Sequence, residues 1–204
     1  MRVILNNAGK QFDKHWVLRD FNGEYDAPGA IAILGQNGSG KSTLIKLLSG
    51  YVQPDEGKIK IIESNQIPAE EIYRRVSMAA PWMDLIEEFT LVETLHFHSR
   101  FRTWVQPLDV NQLLEISELK HAAHKQLRNF SSGMKQRVKL LLAILTQSSL
   151  LLLDEPCSNL DAKAVAWYQQ LLKEHLSDRL LFVASNHQAD EIFCCTSRID
   201  LDSR

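Results

Sequence analysis

Between an apolar run, AIAIL, and a helical one, TLIKLLSG, stands GQNGSGKST, Gly35 to Thr43. The spacing satisfies GxxxxGK[ST], and a buried-type strand before it with a helix after it is the setting that a phosphate-binding loop requires. Glycines at 35, 38 and 40 let the backbone wrap an anion with its N–H groups turned inward, while the following helix presents its positive end to the same point. In such a loop Lys41 reaches the β and γ phosphates and the Ser42 hydroxyl ligates Mg²⁺. Gly35, Gln36, Asn37, Gly38, Ser39, Gly40 and Thr43 make up the rest of the cradle.

The order of the remaining elements agrees with such a loop. RVILNNAGKQF, VLRDFNGEYD and KIKII read as short β segments around turns, a small antiparallel layer near the N-terminus. AIAILG, RRVSMAA, SLLLLDEP and RLLFVASN are short apolar runs of the kind that buried parallel strands show, separated by helical patterns. The class is α/β. Between Asp84 and Arg128 the pattern is helical throughout, with apolar residues three and four apart in VETLHFHSRFRTW and DVNQLLEISELKHAAHKQL, which predicts an inserted helical subdomain at about 84–130. With 204 residues, 45% of them hydrophobic, the chain is expected to form one domain over 1–204.

Charge and cysteine usage narrow the setting. A formal net charge of −2 offers no global basic field for nucleic acid or an anionic membrane. Cys157, Cys194 and Cys195 are odd in number, with two adjacent, which suits a reducing compartment and free thiols. Arg2, Asn6, Asn7 and Lys10 interrupt any apolar leader. No run reaches the roughly 18 apolar residues of a membrane span, so a membrane role is expected only through a partner.

A second acid-bearing element follows in SLLLLDEP, Ser149 to Pro156. Buried strands do not end in paired acids without reason, because unpaired charge near a core is costly. Beside a phosphate loop, Asp154 would hold the Mg²⁺ shell, and Glu155, one residue on and directed elsewhere, would polarise an attacking water. Shortly before it stands FSSGMKQR, Phe130 to Arg137, which by itself reads as a helix cap at Ser131 or Ser132 with Gly133 easing the turn.

A phosphate loop, a helical insert, this serine-glycine turn and an LLLLDEP strand, in that order, resemble the ATP-binding cassette ATPases along nearly the whole chain. The resemblance implies a P-loop NTPase core of RecA-like type, with ATP and Mg²⁺ as cofactors. It also implies a head-to-tail dimer in which the signature of one subunit closes over ATP held by the P-loop of another. The family's signature is usually written LSGGQ. Here Ser132 stands for its first glycine and Met134 for its glutamine, while the serine and second glycine that contact the γ phosphate are present as Ser131 and Gly133. Ser158-Asn159-Leu160-Asp161 matches the family's D-loop, and Asp161 can equally cap the helix that follows. His187, after LLFVASN, takes the place of the histidine that binds the γ phosphate. Phe12 is positioned like the aromatic that stacks on adenine, with Trp16 the other candidate.

The implied activity is ATP hydrolysis driving transport through a transmembrane permease, by a homodimer or heterodimer at the inner face of the cell membrane. An alternative is a soluble ATPase of the same family serving a protein-assembly machine such as iron-sulfur cluster assembly. The run ETLHFHSRF and the ending SRIDLDSR are similar to the small haem-exporter type within the family. His96, His98, His121 and His124 are expected on solvated helical faces, and the acids of DLIEEF at a capped helix start. One departure stands out. The family carries a glutamine after the strand matching RRVSMAA, and here Ala80-Pro81-Trp82 occupies that place. Trp82 and Met83 are therefore expected either as an exposed apolar contact surface for the membrane partner or folded back into the helical insert.

Overall fold

The computed structural model describes residues 1–202. The chain opens with β1 (Arg2–Phe12) and β2 (His15–Asp26), antiparallel with Arg2 opposite Asp26 and Phe12 opposite His15. β3 (Gly29–Leu34) enters a second sheet and leads through the glycine-rich loop into α1 (Lys41–Leu48). β4 (Glu56–Ile62) returns antiparallel to β1, completing a three-stranded sheet in the order β2-β1-β4.

The second sheet is parallel and ordered β5-β6-β7-β3-β8, from β5 (Val76–Ala79), β6 (Leu150–Asp154), β7 (Leu180–Ser185) and β8 (Ser197–Asp200) around β3. Helices and the antiparallel sheet cover both its faces, which is why its strands read as unbroken apolar runs. The side chains nevertheless alternate. Leu150, Leu152, Leu180 and Phe182 join Leu44, Leu48 and the antiparallel layer in one buried cluster. Leu151, Leu153, Leu181 and Val183 face the other way, into a cluster shared with the helices that follow. The expected α/β core with a small antiparallel layer is therefore the fold observed.

The insert is less helical than its periodicity predicts. α2 (Leu91–Phe101) and α3 (Val110–Ser117) are separated by Arg102 to Asp109, which contains Pro107. α3 ends at Glu118, whose left-handed backbone (φ 55°) turns the chain, and 118–129 continues as short 3-10 turns. DLIEEF starts no helix. The start lies at Thr90, where the Glu93 N–H donates to Thr90 Oγ1 (3.2 Å) and the Thr90 N–H to Glu93 Oε2 (2.7 Å). Two further helices flank the parallel sheet, α4 (Ser132–Leu145) and α5 (Ala162–His175).

Candidate nucleotide-binding site

β3 and β6 are both partners of β7 in the parallel sheet, so their C-terminal ends bring Gly35 and Asp154 to one edge. The loop between β3 and α1 uses its glycines physically. Gly38 and Gly40 have φ of 87° and 100°, and a Cβ on Gly35 would lie 2.3 Å from Ser39 Oγ. Gly40 is the N-cap of α1, whose first residues point their free N–H groups into a cavity of about 420 Å³. Lys41, Ser42, Thr43, Asn37 and Gly38 line it, with Val17 from β2 and Glu155 beyond β6. Lys41 is buried, its ammonium donating to the carbonyls of Gly35 (2.6 Å) and Gln36 (2.9 Å).

Asp154 has no exposed surface, and neither of its oxygens has a hydrogen-bond partner among the described residues. Burial pushes its pKa up. The Ser42 hydroxyl opposes the shift, the Glu155 charge adds to it, and the Trp82 indole and Lys41 ammonium oppose it in turn. A buried carboxylate with both oxygens unpaired is costly unless a cation meets it. With the Ser42 hydroxyl alongside, the donor set is all oxygen, hard and anionic, and it fits Mg²⁺. The described residues hold no cluster of three His, Cys, Asp or Glu side chains, so such an ion would draw its remaining ligands from phosphate and water.

Glu155 adopts a left-handed backbone (φ 47°), uncommon for a residue other than glycine. That turn separates the two acids, leaving Asp154 in the sheet and Glu155 on the cavity wall, where Glu155 Oε2 accepts from Ser158 Oγ at 3.3 Å. His187 also has positive φ (57°) and lies half-exposed, outside the cavity lining. Its Nε2 is 3.6 Å from Asp202 Oδ2, and the Asp202 carboxylate accepts the Gln36 N–H at 2.9 and 3.1 Å. Asp202 thus joins the histidine loop to the phosphate loop across 166 residues of sequence. Nothing local marks it. Phe12 is 46% exposed at the β1–β2 turn, with Lys10 over its ring, and Trp16 carries Arg19 over its own. Neither lines the cavity.

A separate cavity of about 440 Å³ gathers Ser131, Ser132, Gly133, Met134, Asn159 and Asp161. Ser131 is the N-cap of α4, its hydroxyl accepting from the Met134 N–H at 3.2 Å. Asp161 caps α5 by accepting the Ala164 N–H at 2.8 Å. The glycine is required by packing, since a Cβ at Gly133 would lie 2.7 Å from the Asn159 carbonyl.

Two sequence expectations are corrected. Trp82 is half-buried: its ring packs on Tyr51 (centroids 5.3 Å apart) and under Lys46 Nζ (4.8 Å), and its indole nitrogen is shielded from solvent. The ring folds onto α1, and Met83 too is only partly exposed. His98 likewise is drawn inward, its Nε2 2.7 Å from Thr146 Oγ1, whereas His96, His121 and His124 are exposed as expected.

The family model described as ABC transporter matches residues 18–158. The sulfate/thiosulfate import ATP-binding protein CysA of Synechocystis sp. is 32% identical, over 94% of this chain and 57% of its own length. The uncharacterized ABC transporter ATP-binding protein YybJ of Bacillus subtilis is 28% identical, over 96% and 90%. A solved ATP binding subunit of an ABC transporter superposes with a TM-score of 0.83 at 25% identity, covering 98% of this chain and 85% of that one. The chain therefore spans little more than half of the sulfate-import relative, and it belongs to the ABC transporter family.

Proposed function

We propose that the chain is the ATP-hydrolysing subunit of an ABC transporter, in which two subunits close head to tail around two Mg-ATP. One observation carries this. The phosphate-loop cavity and the cavity at Ser131 and Gly133 share no lining residue, which supports reading each as half of a site completed by a second subunit. Both halves offer helix N-termini, the feature that suits an anion held between them.

In this assignment Gly35 to Thr43 cradle the phosphates and Lys41 neutralises charge developing on the transferred group. Ser42 and Asp154 would hold Mg²⁺, which when bound polarises the phosphate oxygens. Glu155 orients the attacking water from the cavity wall. Ser131 and Gly133 of the opposing subunit meet the γ phosphate, His187 approaches it from the loop after β7, and Asp161 belongs to the dimer seam. Phe12 serves adenine from the β1–β2 turn. The whole of 1–204 is then one ABC ATPase domain, with its helical insert at about 84–130.

The partner is a transmembrane permease, which places the chain on the cytoplasmic face of the cell membrane. Among the described residues no helix is long and apolar enough to cross a membrane. The surface that suits the permease is a cavity of about 560 Å³ between the turn after α1, β5, α2 and α4. Tyr51 and Tyr73 stand at it, 66% and 61% exposed, with Met83, Leu85 and Arg102 further along its wall. The sulfate-import relative is named as a transport subunit, which favours this over a soluble assembly ATPase.

The test is Glu155→Gln. Hydrolysis should fall by about 10² to 10⁴ while ATP still binds, and size-exclusion chromatography with ATP and Mg²⁺ should show a dimer that persists. Hydrolysis at the unmodified rate would remove Glu155 from the mechanism.

A further inference from the structure

In the loop after β5, where the family carries a glutamine and this chain has Ala80-Pro81-Trp82, the surroundings of the indole suggest what it does. Because β5 pairs with β6 in parallel register, Ala79 opposite Leu153, the residues after Ala79 emerge beside Asp154. There the chain turns sharply, the Met83 N–H donating to the Ala80 carbonyl at 3.2 Å. Lys139 of α4 holds the outside of this turn, its ammonium donating to the carbonyls of Ala80 (3.3 Å) and Pro81 (3.4 Å). On the inside, the Trp82 ring lies against Lys46, one helical turn beyond Ser42 on α1, and against Tyr51. The ring is thus held between Lys46 of α1, Tyr51 and the turn that Lys139 fixes.

Among the described residues the Trp82 indole N–H and both oxygens of the Asp154 carboxylate are buried without a hydrogen-bond partner. A buried indole N–H normally finds an acceptor, and the Asp154 carboxylate, equally unpaired, can supply one. The two interact closely enough for the indole to favour the ionised carboxylate. An indole nitrogen donates and cannot accept, so it cannot ligate a metal as a glutamine carbonyl can. Its action on a cation must pass through Asp154.

We propose that Trp82 is a positioning residue: its indole N–H holds one oxygen of Asp154 so that the other is presented to Mg²⁺. This rests on the nucleotide-site assignment above. Pro81 has no amide proton to offer the carboxylate. Groups that orient a metal-binding side chain commonly change metal affinity by about 10- to 100-fold when removed, and that is the size of effect expected here.

Trp82→Phe keeps the ring on Tyr51 and Lys46 and removes only the donor. Calorimetric titration should show ATP binding in EDTA unchanged, while the Mg²⁺ concentration needed to load the ATP-bound protein rises about 10-fold or more. An unchanged Mg²⁺ requirement would overturn the proposal. A second measurement needs no change at Trp82. In Trp16→Phe protein labelled with ¹⁵N, the indole N–H groups of Trp104 and Trp167 are already bonded, to Ser99 Oγ (3.0 Å) and the Ile116 carbonyl (2.7 Å). The remaining indole resonance, that of Trp82, should move downfield and exchange more slowly when Mg²⁺ is added to the ATP complex. A resonance indifferent to Mg²⁺ overturns the proposal. Absence of ATP binding with and without Mg²⁺ would instead overturn the nucleotide-site assignment, and this inference with it.

Discussion

The imidazole of His98 is enclosed by Trp104, stacked at 4.9 Å with 30° between the rings, and by the last turn of α4. The Thr146 hydroxyl donates its proton to the Leu142 carbonyl (2.5 Å), so it must accept from His98 Nε2, which fixes the neutral tautomer. Burial first, and the charge of Arg102 second, lower the His98 pKa to about 4. In the unfolded chain the ring takes up a proton near pH 6.5. The stability contributed by the neutral ring is therefore complete above about pH 6.5 and is lost as the pH falls towards 4, by at most about 3 kcal/mol. Urea denaturation should show His98→Phe losing less stability than the native sequence over that interval. Parallel pH profiles would mean that the ring is solvated in the folded state. The sequence places His98 on a wet face because HFH sits in an amphipathic helix, and the partner that draws it inward lies 48 residues further on.

At the scale of elements, α2 depends on a reciprocal cap that the chain can lose without disturbing anything buried. Removing the Thr90 hydroxyl by Thr90→Ala deletes the acceptor for the Glu93 N–H and one of the two donors to the Glu93 carboxylate. The expected cost is about 1 kcal/mol. For a chain of this size that corresponds to a Tm lower by about 2–4 °C in calorimetry, and an unchanged Tm would show that the packing of Leu91 and Leu95 alone sets the start of α2. The cap was misplaced from sequence because Asp84, Glu87 and Glu88 offer the same chemistry a few residues earlier. β3, β6 and β7 were legible because each carries four or more consecutive apolar residues between helical segments. β8 was not, since Ser197–Asp200 has one buried apolar residue, Ile199, and earns its place by pairing with β3. The phosphate loop and the Asp154-Glu155 pair could be read directly because each is contiguous. Trp82 and Asp202 escaped because their partners are remote in sequence.

For the whole molecule, the separation of the two cavities makes complementation the decisive test of the proposed dimer. Lys41→Ala disables the phosphate loop and Ser131→Arg, at an exposed position, the opposing half, so each alone should be nearly inactive. A heterodimer of the two pairs the intact loop of one chain with the intact serine-glycine turn of the other. With random exchange, half of the dimers are mixed and hold one working site of two, so recovery should reach at most roughly a quarter of the native rate in a symmetric dimer. No recovery at any mixing ratio would mean that each chain works alone or that both sites must fire together. The contact between α4 and the loop before α5 has a consequence for how such a chain can drift over generations. Ser132 is exposed and Met134 packs at the margin of the helical core, so both can depart from the familiar pattern at little cost. Position 133 has no such freedom, because the Asn159 carbonyl of its own chain fills the space where any side chain would begin. Selection on folding alone would keep that glycine, even in a descendant that no longer bound nucleotide.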